Sequence, residues 1–249
     1  YIEWIDNEKE KIGSIDEQYK QQSMLNLQKC MDASERIKEG IGYLEKHPDA
    51  LEAFQLSNLV MRIQRNWNDG VTDWQNPGES DLVWRPFQLA FVMMSLPSTS
   101  DRFHPERDIF DLIWFPTGGG KTEAYLLLTA YTLILRRLRN EPPSSEGVSV
   151  IMRYTLRTLT IQQFQRAASM ITACEYLRAT KYEKILGDHK FSIGLWVGKD
   201  STPNYLNDAR LALNDSFEPT STPKQVTSCP HCLSDKSLEW NTSEQNKIT

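Results

Sequence analysis

A glycine-rich turn between an apolar segment and a helix-forming segment places the strongest constraint on this chain. The stretch from Asp111 to Thr122 reads DLIWFPTGGGKT, and four of its first five residues are apolar. That composition predicts a short strand buried on both faces. Pro116 ends the strand, and Lys121 starts a helix-forming run that continues as TEAYLLLTAYTLILRRLR. The order strand, glycine turn, lysine and helix is the order that a phosphate-binding loop requires.

Each part of this loop has a chemical reason to hold a nucleotide. Consecutive glycines let the backbone turn its N–H groups toward a phosphate without a Cβ in the way. The helix start adds unpaired N–H groups and a partial positive charge. We expect the lysine to bind the β and γ phosphates of ATP and the threonine hydroxyl to hold Mg²⁺. The predicted cofactor-binding residues of the loop are Thr117, Gly118, Gly119, Gly120, Lys121 and Thr122, and Lys121 and Thr122 are also the candidate catalytic residues. The alternative is a glycine turn whose lysine and threonine are incidental.

Length and composition place the chain among ordinary globular proteins. Its 249 residues are 39% hydrophobic and 24% charged, enough for one large domain or two small ones. No apolar run reaches the roughly eighteen residues of a membrane span, and we recognise no signal peptide. The chain starts with Tyr1, so we expect its natural start to be trimmed. Four cysteines in this length do not suggest a disulfide framework, which favours the reducing cytoplasm.

The charge distribution is uneven. A net charge of −5 argues against nucleic-acid binding, but residues 1–60 alone hold twelve acidic and seven basic side chains. Residues 130–185 hold nine basic and four acidic side chains. Such a basic patch is compatible with binding a phosphate backbone. A solvated helix face is the alternative for any one of these arginines.

Hydrophobic spacing predicts a helical hairpin near the start of the chain. Between Glu17 and Glu45, apolar residues recur at spacings of three and four, which is typical of an amphipathic helix. Pro48 breaks this helix, and a second helix is predicted to run to about Trp67.

Strand and helix signals alternate after the glycine turn. Two further apolar runs, Val148–Tyr154 and Phe191–Val197, predict strands, and Leu159–Arg178 predicts the helix between them. Strand–helix alternation builds parallel sheets through right-handed crossovers. The sequence therefore predicts an α/β fold with nucleotide at the carboxyl end of its first strand.

Two stretches resemble motifs of superfamily 2 helicases. The sequence WRPFQ at 84–88 is similar to the motif that precedes the phosphate loop in those enzymes, and the resemblance implies that Arg85 and Gln88 bind the adenine side. The loop itself resembles their usual P-T-G-x-G-K-T sequence. That resemblance fits Phe115, which stands where the strict pattern has its first glycine.

A third motif follows the second predicted strand. The eight residues TLRTLTIQ resemble the helicase sequence P-T-R-E-L-A-x-Q, although Thr155 and Leu156 replace the usual Pro-Thr. The resemblance implies that Thr155, Arg157 and Gln162 contact DNA, and hydroxyls and an arginine at a helix start are suitable phosphate donors. The alternative is a threonine helix cap beside a surface arginine.

Taken together, the blocks WRPFQLAF, LIWFPTGGGKTEAYL, VIMRYTLRTLTIQQFQRA, FSIGLWVG and TSCPHC are similar to the large helicase component of DISARM anti-phage defence systems. The resemblance implies a DNA-dependent ATPase or translocase that works with a second subunit of the same defence system. It further implies a helical region at 1–83, the first part of a RecA-like lobe at 84–215, and the start of a zinc-ribbon-like insertion at 216–249.

A cysteine pair carries the zinc prediction. Cys229 and Cys232 are spaced to occupy two corners of a tetrahedral Zn²⁺ site, and a closed site needs four ligands. We expect the other cysteine pair beyond Thr249, and we regard His231 as a doubtful ligand. Two free thiols in a loop are the alternative.

No apolar run after Thr122 ends in the Asp-Glu pair that holds Mg²⁺ and orients water in such motors. We therefore expect this chain to stop inside the first motor lobe, to bind nucleotide and to hydrolyse it negligibly. Two other classes stay open: a small P-loop phosphotransferase, and a non-catalytic module that senses nucleotide or holds DNA.

Overall fold

The computed structural model describes residues 1–70, 82–116, 118–139, 147–154, 157–213 and 220–238. Within these ranges all regular structure is helical. The α-helices are α1 (Ile2–Lys11), α2 (Glu17–Lys46), α3 (Pro48–Asn68), α4 (Pro86–Ser100), α5 (Lys121–Leu138), α6 (Arg157–Leu177), α7 (Glu183–Leu186) and α8 (Leu206–Leu211). Short 3₁₀ turns occur at Ile12–Ser14 and Pro105–Asp108, and a π-helical turn at Arg178–Tyr182.

The predicted α/β fold with a RecA-like parallel sheet is wrong. The three segments predicted as strands, Asp111–Phe115, Val148–Tyr154 and Phe191–Val197, are irregular and pair in no β-ladder. A strand buried on both faces hides its side chains, whereas Trp114 is 88% and Trp196 98% exposed. Among the residues that the structure describes, no strand pairs with these segments, and the core is formed by helices.

The predicted helices are confirmed. The hairpin consists of α2 and α3, which meet at His47, where the backbone is extended. Pro48 takes the first position of α3, where its missing N–H costs nothing. Only part of the predicted apolar stripe of α2 is buried: Leu44 is, whereas Met24 is 60% exposed.

The contacts divide the chain into two compact units, the first made of residues 1–58 and 83–149 and the second of residues 59–82 and 150–249. In the first unit α4 packs against α2 and α5. Val92 and Leu96 of α4 and Leu127 of α5 are fully buried there. The domain boundaries given above from the family resemblance stay predictions.

A polar cluster ties four helices of the first unit together. Just after α5, the Arg139 guanidinium donates to Asp49 Oδ2 at 2.7 Å, to Tyr43 Oη at 3.2 Å and to the Ser100 carbonyl. The hydroxyls of Ser100 and Tyr131 are 2.6 Å apart. Burial raises the pKa of Tyr131, so this phenol stays a neutral hydrogen-bonding group.

In the second unit, Met170, Cys174 and Leu177 form the buried face of α6. The adjoining Arg178 is only 4% exposed and makes two hydrogen bonds to the Glu175 carboxylate, at 2.8 and 2.7 Å. This ion pair fixes the turn that follows α6. Among the helices of the described ranges, none combines the length and the apolar character needed to cross a bilayer.

Candidate functional site

The glycine turn lies directly before α5. Gly118 and Gly120 have φ angles of 81° and 87°, in the left-handed region that favours glycine. The N–H of Gly119 donates to the Pro116 carbonyl at 3.1 Å and closes the turn. A Cβ at Gly119 would lie 3.0 Å from that same oxygen. Positive φ angles favour glycine at positions 118 and 120, and the close Pro116 carbonyl favours it at position 119.

Lys121 folds back over this turn. Its Nζ donates to the Phe115 carbonyl at 2.5 Å and to the Pro116 carbonyl at 3.1 Å. The ammonium group therefore lies against the carbonyl oxygens of the residues that enter the turn. Thr122 follows in the first turn of α5 and is half-buried. The remaining predicted loop residue, Thr117, lies outside the described residues.

The two residues predicted to read adenine also lie at the loop. Arg85 Nη1 donates to the Gly119 carbonyl at 2.9 Å, and Gln88 Nε2 donates to the Gly120 carbonyl at 2.7 Å. Gln88 Oε1 accepts the Arg85 N–H at 2.7 Å, and Gln88 is only 4% exposed. In this structure both side chains therefore bind the loop backbone, and their contact with adenine stays a prediction.

Sequence reasoning missed Arg36. Its Nη1 and Nη2 donate to the two Asp111 carboxylate oxygens at 2.6 and 2.8 Å, and its Nε donates to Glu106 at 2.7 Å. The Arg36 side chain is 16% exposed, so this bidentate pair is largely shielded from water. It anchors on α2 the segment that leads into the glycine turn. No sequence signal marks Arg36, because its partners lie 70 and 75 residues away.

The predicted DNA-contacting residues belong to the second unit. Arg157 is the first residue of α6, and Gln162 is exposed in the second turn of that helix. The side chain of Arg157 and the whole of Thr155 lie outside what the structure describes. Their contact with DNA stays a prediction.

The predicted metal-ligating cysteines lie in a tight turn. Leu233 N–H donates to the Cys229 carbonyl at 2.9 Å, and Leu233 has a φ of 58°. Three hydrogen-bonding partners lower the pKa of the Cys232 thiol. The Ser237 hydroxyl has the largest effect, and the Ser234 backbone and Cys229 have smaller ones. Within the described ranges no group of three or more His, Cys, Asp or Glu side chains could hold a metal ion.

His231 lies between these cysteines and packs on aromatic rings. Its ring centroid is 4.8 Å from that of Trp67 and 6.1 Å from that of Tyr176. The ring thus holds the cysteine turn against α3 and α6 within the second unit.

Comparison with known proteins identifies the class. No family model matches the chain. The chain is nevertheless similar to a DISARM protein, as its motifs predicted. It is 40% identical over 235 residues to the DISARM protein DrmA of Bacillus paralicheniformis, an alignment that covers 86% of this chain and 20% of that relative. The chain thus spans about a fifth of the length of the curated relative.

Proposed function

We propose that the glycine turn and Lys121 bind the phosphates of ATP together with Mg²⁺, in a protein that acts in DISARM anti-phage defence. The observation that supports the ATP site is the shape of the turn. Two left-handed glycines and a lysine ammonium converge directly before an 18-residue helix. Backbone N–H groups, a helix start and one cation suit a polyphosphate better than a neutral ligand.

Each loop residue has a distinct task in this proposal. The Lys121 ammonium, which binds two neutral carbonyls in this structure, would move to the β and γ phosphates, because an anionic phosphate oxygen attracts the ammonium more strongly than a neutral carbonyl oxygen does. The N–H groups of Gly118 and Gly120 would face the same phosphates without a Cβ in the way, and the Gly119 N–H would have to leave the Pro116 carbonyl to join them. The Thr122 hydroxyl would hold Mg²⁺, which neutralises phosphate charge when bound.

The activity of the whole protein is a further part of the proposal. We infer that it is an ATP-driven DNA translocase, which works with a second subunit of the same defence system. The present chain would bind ATP and hydrolyse it negligibly, because no apolar run after Thr122 ends in an Asp-Glu pair that could orient the attacking water. The cysteine turn would supply half of a zinc site, since two thiols one turn apart fit two tetrahedral positions.

Replacing Lys121 with alanine tests the ATP site. We expect the dissociation constant for Mg²⁺–ATP to rise roughly tenfold to a hundredfold, because a hydrogen bond to a charged group contributes about 1.5–3 kcal/mol. Titration calorimetry on the full chain measures this change. Lys38→Ala is the control, since the Lys38 side chain is 52% exposed and pairs with Glu35 on the surface of α2. Equal affinities for wild type and Lys121→Ala would remove Lys121 from the site.

The DNA-binding surface has its own test. Phosphate contacts release counterions, so we expect the DNA affinity of the chain to fall steeply between 50 and 200 mM salt, as is typical of proteins with several such contacts. Arg157→Ala should reduce the slope of log affinity against log salt by about one. Arg65→Ala, on an exposed face of α3, should leave that slope unchanged. A DNA affinity insensitive to salt would contradict this assignment.

A further inference from the structure

The first turn of α4 contacts the glycine loop from one side. Trp84 Nε1 donates to Asn58 Oδ1 at 2.8 Å and anchors the start of this turn on α3. Arg85 and Gln88 then bind the carbonyls of Gly119 and Gly120. Phe87, which also lies between them, meets the loop through its ring.

That ring stacks on Phe115. The two ring centroids are 4.0 Å apart, and the ring planes are inclined by 22°. Phe115 occupies the position where the strict phosphate-loop pattern has a glycine. The stack explains how an aromatic residue fits there, because the side chain packs on α4 while its own carbonyl accepts from Lys121.

We propose that Phe87 and Phe115 are positioning residues of the glycine loop. Their stack fixes the point where the chain enters the turn, and the hydrogen bonds from Arg85 and Gln88 fix the point where it leaves. The loop is thereby held in one shape before any ligand arrives, which reduces the ordering that binding requires. This inference rests on the proposed ATP site, since it assigns a role to residues that touch the loop and not the nucleotide.

Space around Gly120 supports this arrangement. A Cβ at Gly120 would lie 2.7 Å from Gln88 Nε2, so the loop backbone and the α4 side chains are in close contact. Phe115 remains 45% exposed, whereas Gln88 is buried. The ring stack is thus at the edge of the contact, where a change of side chain can loosen the loop without opening the core.

Amide hydrogen exchange at Gly119 tests the proposal without nucleotide. The Gly119 N–H donates to the Pro116 carbonyl, so its exchange rate reports opening of the turn. We expect Phe87→Leu to accelerate this exchange by about two- to tenfold, because the contribution of the aromatic pair is lost. Phe91→Leu is the matched control, one turn later on α4, where the Phe91 ring packs edge-on against Tyr125 with 5.7 Å between the ring centroids. It should leave Gly119 exchange unchanged.

Phe115→Leu tests the stack from the other side and should accelerate Gly119 exchange to a similar degree. The double variant should exchange no faster than either single one, because one stack is lost in all three. Unchanged exchange after Phe87→Leu, equal acceleration by Phe91→Leu, or additive effects in the double variant would overturn the proposal. A wild type that does not bind Mg²⁺–ATP would overturn the ATP site alone, since the exchange measurement does not depend on it.

Discussion

Gly40→Ala is expected to lower the free energy of unfolding by about 3 kcal/mol or more, the upper end of the cost of overpacking. Gly40 lies where α2 meets α4, and a Cβ there would come 2.0 Å from the Met93 carbonyl oxygen and 2.7 Å from its carbon. Both atoms belong to helix backbone, so they cannot move aside as a side chain would. The helices would have to separate, and α4 carries the residues that hold the glycine loop. Urea denaturation measures the loss.

Gly42→Ala is the matched control on the same helix. No atom lies within 4 Å of a Cβ built at Gly42. Alanine is favoured over glycine inside a helix by about 1 kcal/mol, so Gly42→Ala should be neutral or stabilising. If Gly40→Ala lowers the free energy of unfolding and Gly42→Ala does not, the loss comes from the close contact between α2 and α4 and not from helix propensity. A Gly40→Ala variant as stable as wild type would show that α2 and α4 are not in such close contact.

The second large effect is expected at Arg178. Arg178→Met keeps much of the apolar part of the side chain but removes the cation that pairs with the Glu175 carboxylate. The Glu175 side chain is 25% exposed. Breaking a fully buried ion pair costs about 3–5 kcal/mol, and we expect about 2–4 kcal/mol here because part of Glu175 reaches solvent. Arg178 also donates to the Gly187 carbonyl at 3.0 Å, and that bond is lost as well. Urea denaturation of the second unit measures the change.

The pH dependence of this loss follows from the pKa of Glu175. Burial alone raises that pKa, but hydrogen bonds from Arg178 and from the Phe191 N–H outweigh burial and hold it below its usual value. The pair therefore stabilises the folded state above about pH 4.3, the ordinary pKa of glutamate, and this contribution fades as the pH falls through the lowered pKa. The difference between wild type and Arg178→Met should accordingly be smaller at about pH 3 than at pH 7.

Two further variants separate the ion pair from general effects. Arg65 and Asp69 of the same unit form an exposed pair at 3.0 Å, with side chains 58% and 45% exposed, so Arg65→Met should change stability by less than about 1 kcal/mol. Combining Arg178→Met with Glu175→Gln should recover part of the loss, because the uncompensated charge is then gone. An Arg178→Met variant no less stable than Arg65→Met would contradict the role given to this pair.

The helices were predictable because local signals define them. The break at His47 and Pro48, the proline that starts α4 and the three glycines before Lys121 each act on the backbone within a few residues. The strands were not predictable in the same way. An apolar run such as LIWF is compatible with burial in a sheet, but a sheet also needs a partner strand, and the side chain of Trp114 is exposed instead.

The site was only partly predictable for a related reason. Conformational demands on Gly118 and Gly120 are local, so the sequence pattern revealed the loop. The contacts that hold the loop are not local: Arg85 meets Gly119 from 34 residues away, and Arg36 meets Asp111 from 75 residues away. The sequence spacing of these residues does not predict that Arg85 contacts Gly119 or that Arg36 contacts Asp111. The resemblance of WRPFQ to a helicase motif placed Arg85 and Gln88 near the nucleotide, while the structure shows them bound to the loop backbone.

These long-range contacts also give the N-terminal helices a structural role. Residues 1–58 and the glycine loop belong to one compact unit, and Arg36 of α2 holds the segment that enters the loop. Helices without chemistry of their own therefore position the residues that we propose bind ATP.

The most direct test of the central claim is a structure of this chain with Mg²⁺ and a non-hydrolysable ATP analogue. The account predicts that Lys121 Nζ leaves the carbonyls of Phe115 and Pro116 and lies within about 3 Å of a β- or γ-phosphate oxygen. It also predicts that backbone N–H groups of Gly118–Gly120 face the phosphates. An analogue bound elsewhere, with Lys121 still on both carbonyls, would contradict it.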